Sequence, residues 1–145
     1  MTHVNIDNAG RGEDHAYKKV IEKIAEDKVC PFCRENLEIY HKNPIIKETD
    51  YWILTTNMYP YKNTLHHFLL IHKNHITDSK DIRPEAWTEL HHHLNWLTDK
   101  YNIPGGTFFM RCGETSHTGA SVTHLHAQMV VADNTKKEPV LARFG

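Results

Sequence analysis

The chain has 145 residues, 39% of them hydrophobic and 24% charged, with a formal net charge of -1. That size and balance fit one globular domain with its own packed core and exclude a nucleic-acid surface built on bulk charge. A small phosphate pocket, which needs only a few donors, is still allowed. No apolar run approaches the ~20 residues of a membrane span, and Met1-Thr2-His3-Val4-Asn5-Ile6-Asp7 carries no apolar signal segment. The expected location is therefore cytoplasmic, with no nucleic-acid and no membrane partner.

Residues 1–14 are polar, with Asn8-Ala9-Gly10-Arg11-Gly12, and read as a mobile N-terminal arm ahead of one domain over 15–145. Tyr17, Val20, Ile21 and Ile24 recur at helical spacing and predict a short amphipathic helix over about Ala16 to Ala25. Cys30-Pro31-Phe32-Cys33 follows. Two of the three cysteines at this spacing fit half a metal site better than a disulfide framework in a reducing compartment. A structural or redox cysteine pair is the alternative, and no thioredoxin-like βαβ pattern surrounds it. Glu38–His41 and Ile45–Glu48, parted by Lys42-Asn43-Pro44, read as a hairpin. Tyr51–Thr56 reads as a strand rich in aromatic and β-branched residues, Asn57 to Leu65 as a turn-rich connection, and Phe68–His72 as a further strand.

Pro84 stands where a first-turn proline belongs. Trp87, Leu90, Leu94, Leu97 and Tyr101 then predict the buried stripe of a long helix, with His91-His92-His93 forming a solvated face. Asn102-Ile103-Pro104-Gly105-Gly106 ends that helix, Thr107–Arg111 and Thr123–Val131 are the last two strands, and Cys112 is a free thiol near a strand end. The order predicts an α+β fold: a mostly antiparallel sheet with a long covering helix.

The run from Ser121 to Val131 carries the chemistry. On a strand, His124, His126 and Gln128 share one face and Leu125, Ala127 and Met129 the other. The chain holds 13 histidines, so some close pairs arise by chance, and a lone His-x-His is often structural. The upstream glycine and serine and the distant cysteine pair set this one apart. An imidazole whose second nitrogen is held as a donor is a competent nucleophile toward phosphorus, given partners for the charge on the phosphoryl oxygens. The amide of Gln128 can donate to such an oxygen, and Ser121 with the backbone at Gly119-Ala120 can add donors. An amide cannot shuttle a proton, so the substrate should lose a group that leaves easily, such as a phosphate or another nucleotide.

Gly119-Ala120-Ser121-Val122-Thr123-His124-Leu125-His126-Ala127-Gln128 resembles the Gly-x-Ser-x-x-His-x-His-x-Gln signature of the histidine-triad superfamily. It is most similar to the branch that contains galactose-1-phosphate uridylyltransferases and dinucleoside polyphosphate phosphorylases; triad hydrolases proper carry a third histidine where this chain has Gln128. Asn57-Met58-Tyr59-Pro60-Tyr61, His67-Phe68-Leu69-Leu70-Ile71 and Lys73-Asn74-His75-Ile76 resemble the family's ribose-contacting turn, central strand and following histidine. Cys30-Pro31-Phe32-Cys33-Arg34-Glu35-Asn36 resembles the cysteine motif of its metal-bearing members.

The resemblance spans about residues 28 to 132 and implies a small antiparallel sheet, usually a homodimer, and two-step nucleotidyl transfer. It implies His126 as the nucleophile and Gln128 as the partner that holds the intermediate, with Ser121 and Gly119 at phosphate and Asn57 near the ribose of a nucleotide or dinucleoside polyphosphate. It also implies a structural zinc on Cys30, Cys33, His75 and His124. The chain departs from the family at Lys62–His66, which lacks the usual glycine and leaves either His66 or His67 as the strand histidine. It departs again at Arg111–His117, which lacks the usual asparagine. Sugar-phosphate uridylyltransferases normally carry two such repeats in tandem, so sugar specificity is not carried over. A zinc-stabilised nucleotide-binding module with little catalysis is the alternative reading.

Overall fold

Thr64–His72 is the longest strand and is paired on both sides. The computed structural model describes residues 2–11 and 15–145. In chain order its helices are α1 (Ile6–Gly10), α2 (His15–Asp27), α3 (Arg34–Tyr40), α4 (Pro84–Lys100) and α5 (Thr115–Thr118). The strands are β1 (Lys47–Glu48), β2 (Trp52–Thr56), β3 (Thr64–His72), β4 (Thr107–Met110) and β5 (His126–Ala132), in the sheet order β1-β2-β3-β5-β4. Every pairing is antiparallel, so the fold is α+β. No helix among the described residues is long and apolar enough to cross a membrane.

The sheet has two unlike faces. Trp52, Leu54, Phe68, Leu70, Ala127, Met129 and Val131 form the main core with α4. The opposite face carries Ile53, Leu69 and Ile71, packed against Leu37 of α3. Register sets Leu69 opposite Gln128 and Ile71 opposite His126, so the two polar residues stand on this second face.

Several expectations change. The expected hairpin strand Glu38–His41 is the last turn of α3, where Arg34 pairs with Glu38 at i,i+4 and Leu37 is fully buried. Only Lys47–Glu48 of the second hairpin segment is a strand, and it pairs with β2. The strand expected at Phe68 begins at Thr64, after a turn with Asn63 in the left-handed region (φ 68). A register shift between Thr64 and His66 follows that turn.

The strand expected from Thr123 begins only at His126. Residues 121–123 pair instead with the N-terminal segment: Val122 bridges Val4, Asn5 N–H donates to Ser121 O (2.8 Å), and Thr123 N–H donates to His3 O (3.0 Å). Residues 4–10 are thus no free arm. Val4 and Ala9 are buried with Ile21, Ile24 and Val122, and Asn5 caps α1 by accepting the Asn8 N–H. Of the expected arm, residues 1 and 12–14 lie outside the described residues.

On α4 the buried line is Ala86, Leu90, His93 and Leu97, and Trp87 is 44% exposed. Ala86 brings the helix close enough for the buried Trp52 Nε1–H to donate to its carbonyl at 2.8 Å. This turns the helix about one residue from the expected stripe. His91 and His92 are exposed as expected, but His93 is buried, bonded through Nε2 to Thr49 Oγ1 at 2.7 Å.

Candidate active site and metal cluster

A cavity of about 920 Å³ opens on the second sheet face, with His126 and Gln128 in its wall. Ile21, Ile24, Phe32, Tyr40 and Leu69 make one part of the lining apolar, while Asn57, Ser121, Arg111 and the two β5 residues make another part polar.

His126 is 9% exposed and its Nδ1–H donates to the His124 carbonyl at 2.8 Å. That bond fixes the tautomer and leaves the Nε2 lone pair free. Burial, with smaller contributions from Arg111 and His67, lowers its pKa to about 4, so the ring is neutral near pH 7. The ring of Phe32, from the Cys-x-x-Cys turn, stands edge-on to it at 5.1 Å.

Gln128 is 5% exposed and its Oε1 accepts from His67 Nε2 at 2.6 Å. His67 Nδ1 accepts the Tyr61 backbone N–H at 3.2 Å, so Nε2 must carry the ring proton. Three groups thereby settle one another. The backbone of Tyr61 selects the tautomer of His67, which selects the orientation of Gln128 and leaves the amide NH₂ free of that bond. Of the two candidate strand histidines, His67 is therefore the one in the site. His66 stacks on Phe68 at 5.4 Å, on the opposite sheet face.

Asn57 lines the cavity, with its Oδ1 accepting the Tyr59 N–H at 2.8 Å. Ser121 Oγ is bonded to the Tyr17 hydroxyl. Gly119 caps α5 at φ 78, where a side chain would be strained, and its N–H is committed to the Thr115 carbonyl. Its contribution is the turn that delivers Ser121. Asn8 holds the same loop, donating to Ala120 O at 2.7 Å and Thr115 O at 2.8 Å.

Cys30, Cys33, His75 and His124 come together with all four ligand atoms within 4.8 Å of one another. Sγ of Cys30 lies 3.4 Å from His124 Nδ1, and Sγ of Cys33 lies 3.4 Å from His75 Nδ1 and 3.7 Å from His124 Nδ1. A tetrahedral two-sulfur, two-nitrogen zinc site has bonds of about 2.0–2.3 Å and hence edges of about 3.3–3.8 Å. His124 Nε2–H donates to the His72 carbonyl, which turns the Nδ1 lone pair toward the sulfurs. Burial, and then the facing Cys30 thiol, push the Cys33 thiol up to about 12. The donor set fits a closed structural metal. Cys112 is a free thiol two residues past β4, as expected.

Sequence reasoning passed over Tyr17, Tyr61 and Arg111 as site residues. Arg111 had a signal. Phe109 pairs with Gln128 in the sheet, so alternation along β4 carries Arg111 to the same face. Tyr17 had none, because only the tertiary fold brings α2 against Ser121.

No protein-family model matches the chain, and no curated protein matches it. Solved structures do match. The fold is that of the histidine-triad proteins, an antiparallel sheet with its covering helices. A histidine-triad family hydrolase from Clostridium thermocellum aligns with a TM-score of 0.59 at 23% identity, covering 75% of this chain and 95% of that one. A zinc-bound histidine-triad family protein from Mycobacterium smegmatis aligns at 0.56 and 20% identity, over 74% of this chain and 78% of that one. The diadenosine triphosphate hydrolase of Plasmodium falciparum, solved with cyclomarin A, aligns at 0.54 and 17% identity, over 70% and 67%.

Proposed function

We propose that the protein transfers or hydrolyses the phosphoanhydride bond of nucleotides through a nucleotidyl-histidine on His126. The observation that carries this reading is the His126 Nδ1–H bond to the His124 carbonyl, which leaves a neutral, cavity-lining Nε2 lone pair beside Gln128. The nucleobase occupies the apolar end of the cavity at Ile21, Ile24, Phe32 and Leu69, and Asn57 meets the ribose. Ser121 and the loop after Gly119 meet phosphate. His126 Nε2 attacks the α-phosphorus, and the phosphoanhydride oxygen leaves with the bonding electrons. The Gln128 amide donates to a non-bridging oxygen of the transferred phosphoryl group, held in that orientation by His67. Water or a phosphate then takes the nucleotidyl group from nitrogen. Cys30, Cys33, His75 and His124 would hold a structural zinc, which would tie the turn that carries Phe32 to the residue whose carbonyl orients His126.

Mass spectrometry of protein mixed with a dinucleoside polyphosphate and quenched in alkali tests the reading. The expected result is one mononucleotide adduct per chain, absent in His126→Ala. Reversible binding with no adduct and no turnover would instead establish a nucleotide-binding module. The family resemblance also implies a cytoplasmic homodimer. What supports a dimer is β4, one edge of which pairs with no other strand among the described residues and on which Phe108 is 37% exposed. Sedimentation at micromolar concentration tests that assembly.

A further inference from the structure

The cavity that holds His126 carries more positive charge than one transferred phosphate calls for. Arg11, Lys62, Arg111 and Arg143 line it; Arg11 donates to the Gly145 oxygen at 2.5 Å, and the one side-chain carboxylate in the lining among the described residues, Glu138, pairs with Lys62 at 3.8 Å. Arg111 stands out. Its guanidinium forms no ion pair among the described residues, and its Nε is buried without a hydrogen-bond partner.

Its remaining contacts fix the group without neutralising it. Nη1 donates to the Tyr61 hydroxyl at 3.3 Å, and Nη2 donates to the Arg143 carbonyl at 2.5 Å. The rings of Phe109 and Phe144 lie 5.1 and 5.2 Å from the guanidinium carbon. Burial is the main cause of the lowered His67 pKa, and the Arg111 charge adds to it and also acts on Tyr17, on two sides of the cavity. A half-buried arginine held in place by uncharged groups is preorganised for an anion that the protein itself does not supply.

We propose that Arg111 is a catalytic residue that receives the departing phosphate. This rests on the nucleotidyl-histidine reading and deepens it. As His126 Nε2 forms its bond to the α-phosphorus, the bond to the bridging oxygen breaks. That oxygen keeps both electrons, and the departing phosphate gains one negative charge. No proton can come from Gln128, because an amide is not an acid at neutral pH. Arg111 supplies charge where a third histidine would supply a proton, and the proton on His126 Nδ1 stays on its bond to the His124 carbonyl.

The test compares two substrates with Arg111→Gln: a dinucleoside polyphosphate, whose leaving group is a multiply charged phosphate, and the p-nitrophenyl ester of a nucleoside monophosphate, whose leaving group is a single-charged phenolate. The expected loss in kcat/KM is about 10²–10³-fold on the first, the scale of one removed oxyanion partner, and under about tenfold on the second. Inhibition by inorganic pyrophosphate should weaken at least about tenfold in the same variant, a readout independent of turnover. Arg111→Lys should retain part of both. Arg111→Met keeps the aliphatic stem between the two phenyl rings and gives the same contrast should the glutamine variant fail to fold. Equal losses on both substrates, no loss on either, or unchanged pyrophosphate inhibition would overturn the assignment. If wild-type protein forms no adduct even from the aryl ester, the nucleotidyl-histidine reading itself falls. An adduct from the aryl ester with equal variant losses removes only the role of Arg111.

Discussion

Deleting both sides of the His67–Gln128 bond should cost less than the two single deletions added together. The bond is 2.6 Å long, and its partners are 4% and 5% exposed. Gln128→Leu leaves the His67 Nε2–H without an acceptor, because the Asn57 atom that faces it, Nδ2 at 3.3 Å, is itself a donor while Asn57 Oδ1 is turned to the Tyr59 N–H. A buried donor stripped of its partner costs about 1–3 kcal/mol, and the same range applies to the stranded Gln128 carbonyl in His67→Phe. In the double variant neither group remains. Its destabilisation should fall short of the sum of the single losses by about 1–2 kcal/mol, a coupling expected of directly bonded neighbours. Urea denaturation followed by the fluorescence of the fully buried Trp52 measures all four corners of this cycle. Strictly additive losses would show that the two groups do not hold one another, and the orientation argument for the Gln128 amide would fail. Turnover gives a second check: Gln128→Leu should lose about 10²–10³-fold in rate.

Elemental analysis of freshly purified protein should find about one zinc per chain, and Cys30→Ser should lose both metal and thermal stability, because zinc binding at a closed site is part of the folding free energy. Protein that is fully folded and metal-free, or unaffected in melting temperature by a chelator, refutes the site. Stability should also fall on acidification. Burial depresses the pKa values of His41, His67 and His93 below 6.5, so between those values and 6.5 the unfolded chain binds more protons than the folded one. Their stabilisation is complete above about 6.5 and is lost as pH drops through the folded pKa values, and His41→Gln or His93→Gln should each flatten that fall in melting temperature. A melting temperature that holds or rises from pH 7 to pH 5 contradicts this.

The parts of the site that lie close in sequence were legible before the structure. His126 and Gln128 share a face because strand alternation leaves no choice, and Cys30 and Cys33 converge because two intervening residues make one turn. The fourfold cluster with His75 and His124 came from family resemblance rather than spacing, and the fold assembles it. What escaped were features decided at long range. Residues 34–40 have few local signals to separate helix from strand, and the burial of Leu37 against β2 and β3 decides for helix. His93 looks solvated on a helical wheel until Ala86 turns α4 toward Trp52. The polar asparagines of the N-terminal segment read as a loose arm, yet Asn5 is a cap and Asn8 a clamp on a loop more than a hundred residues away. Arg111 and Tyr17 reach the cavity from opposite parts of the chain, and no local pattern joins them.

The two-faced character of β5 separates the consequences of mutation along a single strand. Ala127, Met129 and Val131 belong to the main core, while His126 and Gln128 face the cavity. A saturation scan scored for abundance and for turnover should therefore give two interleaved sawtooth profiles, out of phase by one residue. Positions 127, 129 and 131 would chiefly lower the amount of folded protein, and positions 126 and 128 would chiefly lower the work done per molecule. Substitutions at 126 and 128 thus leave the main core, on the other face of the strand, intact. Position 128 is then a place where chemistry can be altered while its neighbours on either side are held by packing in the main core.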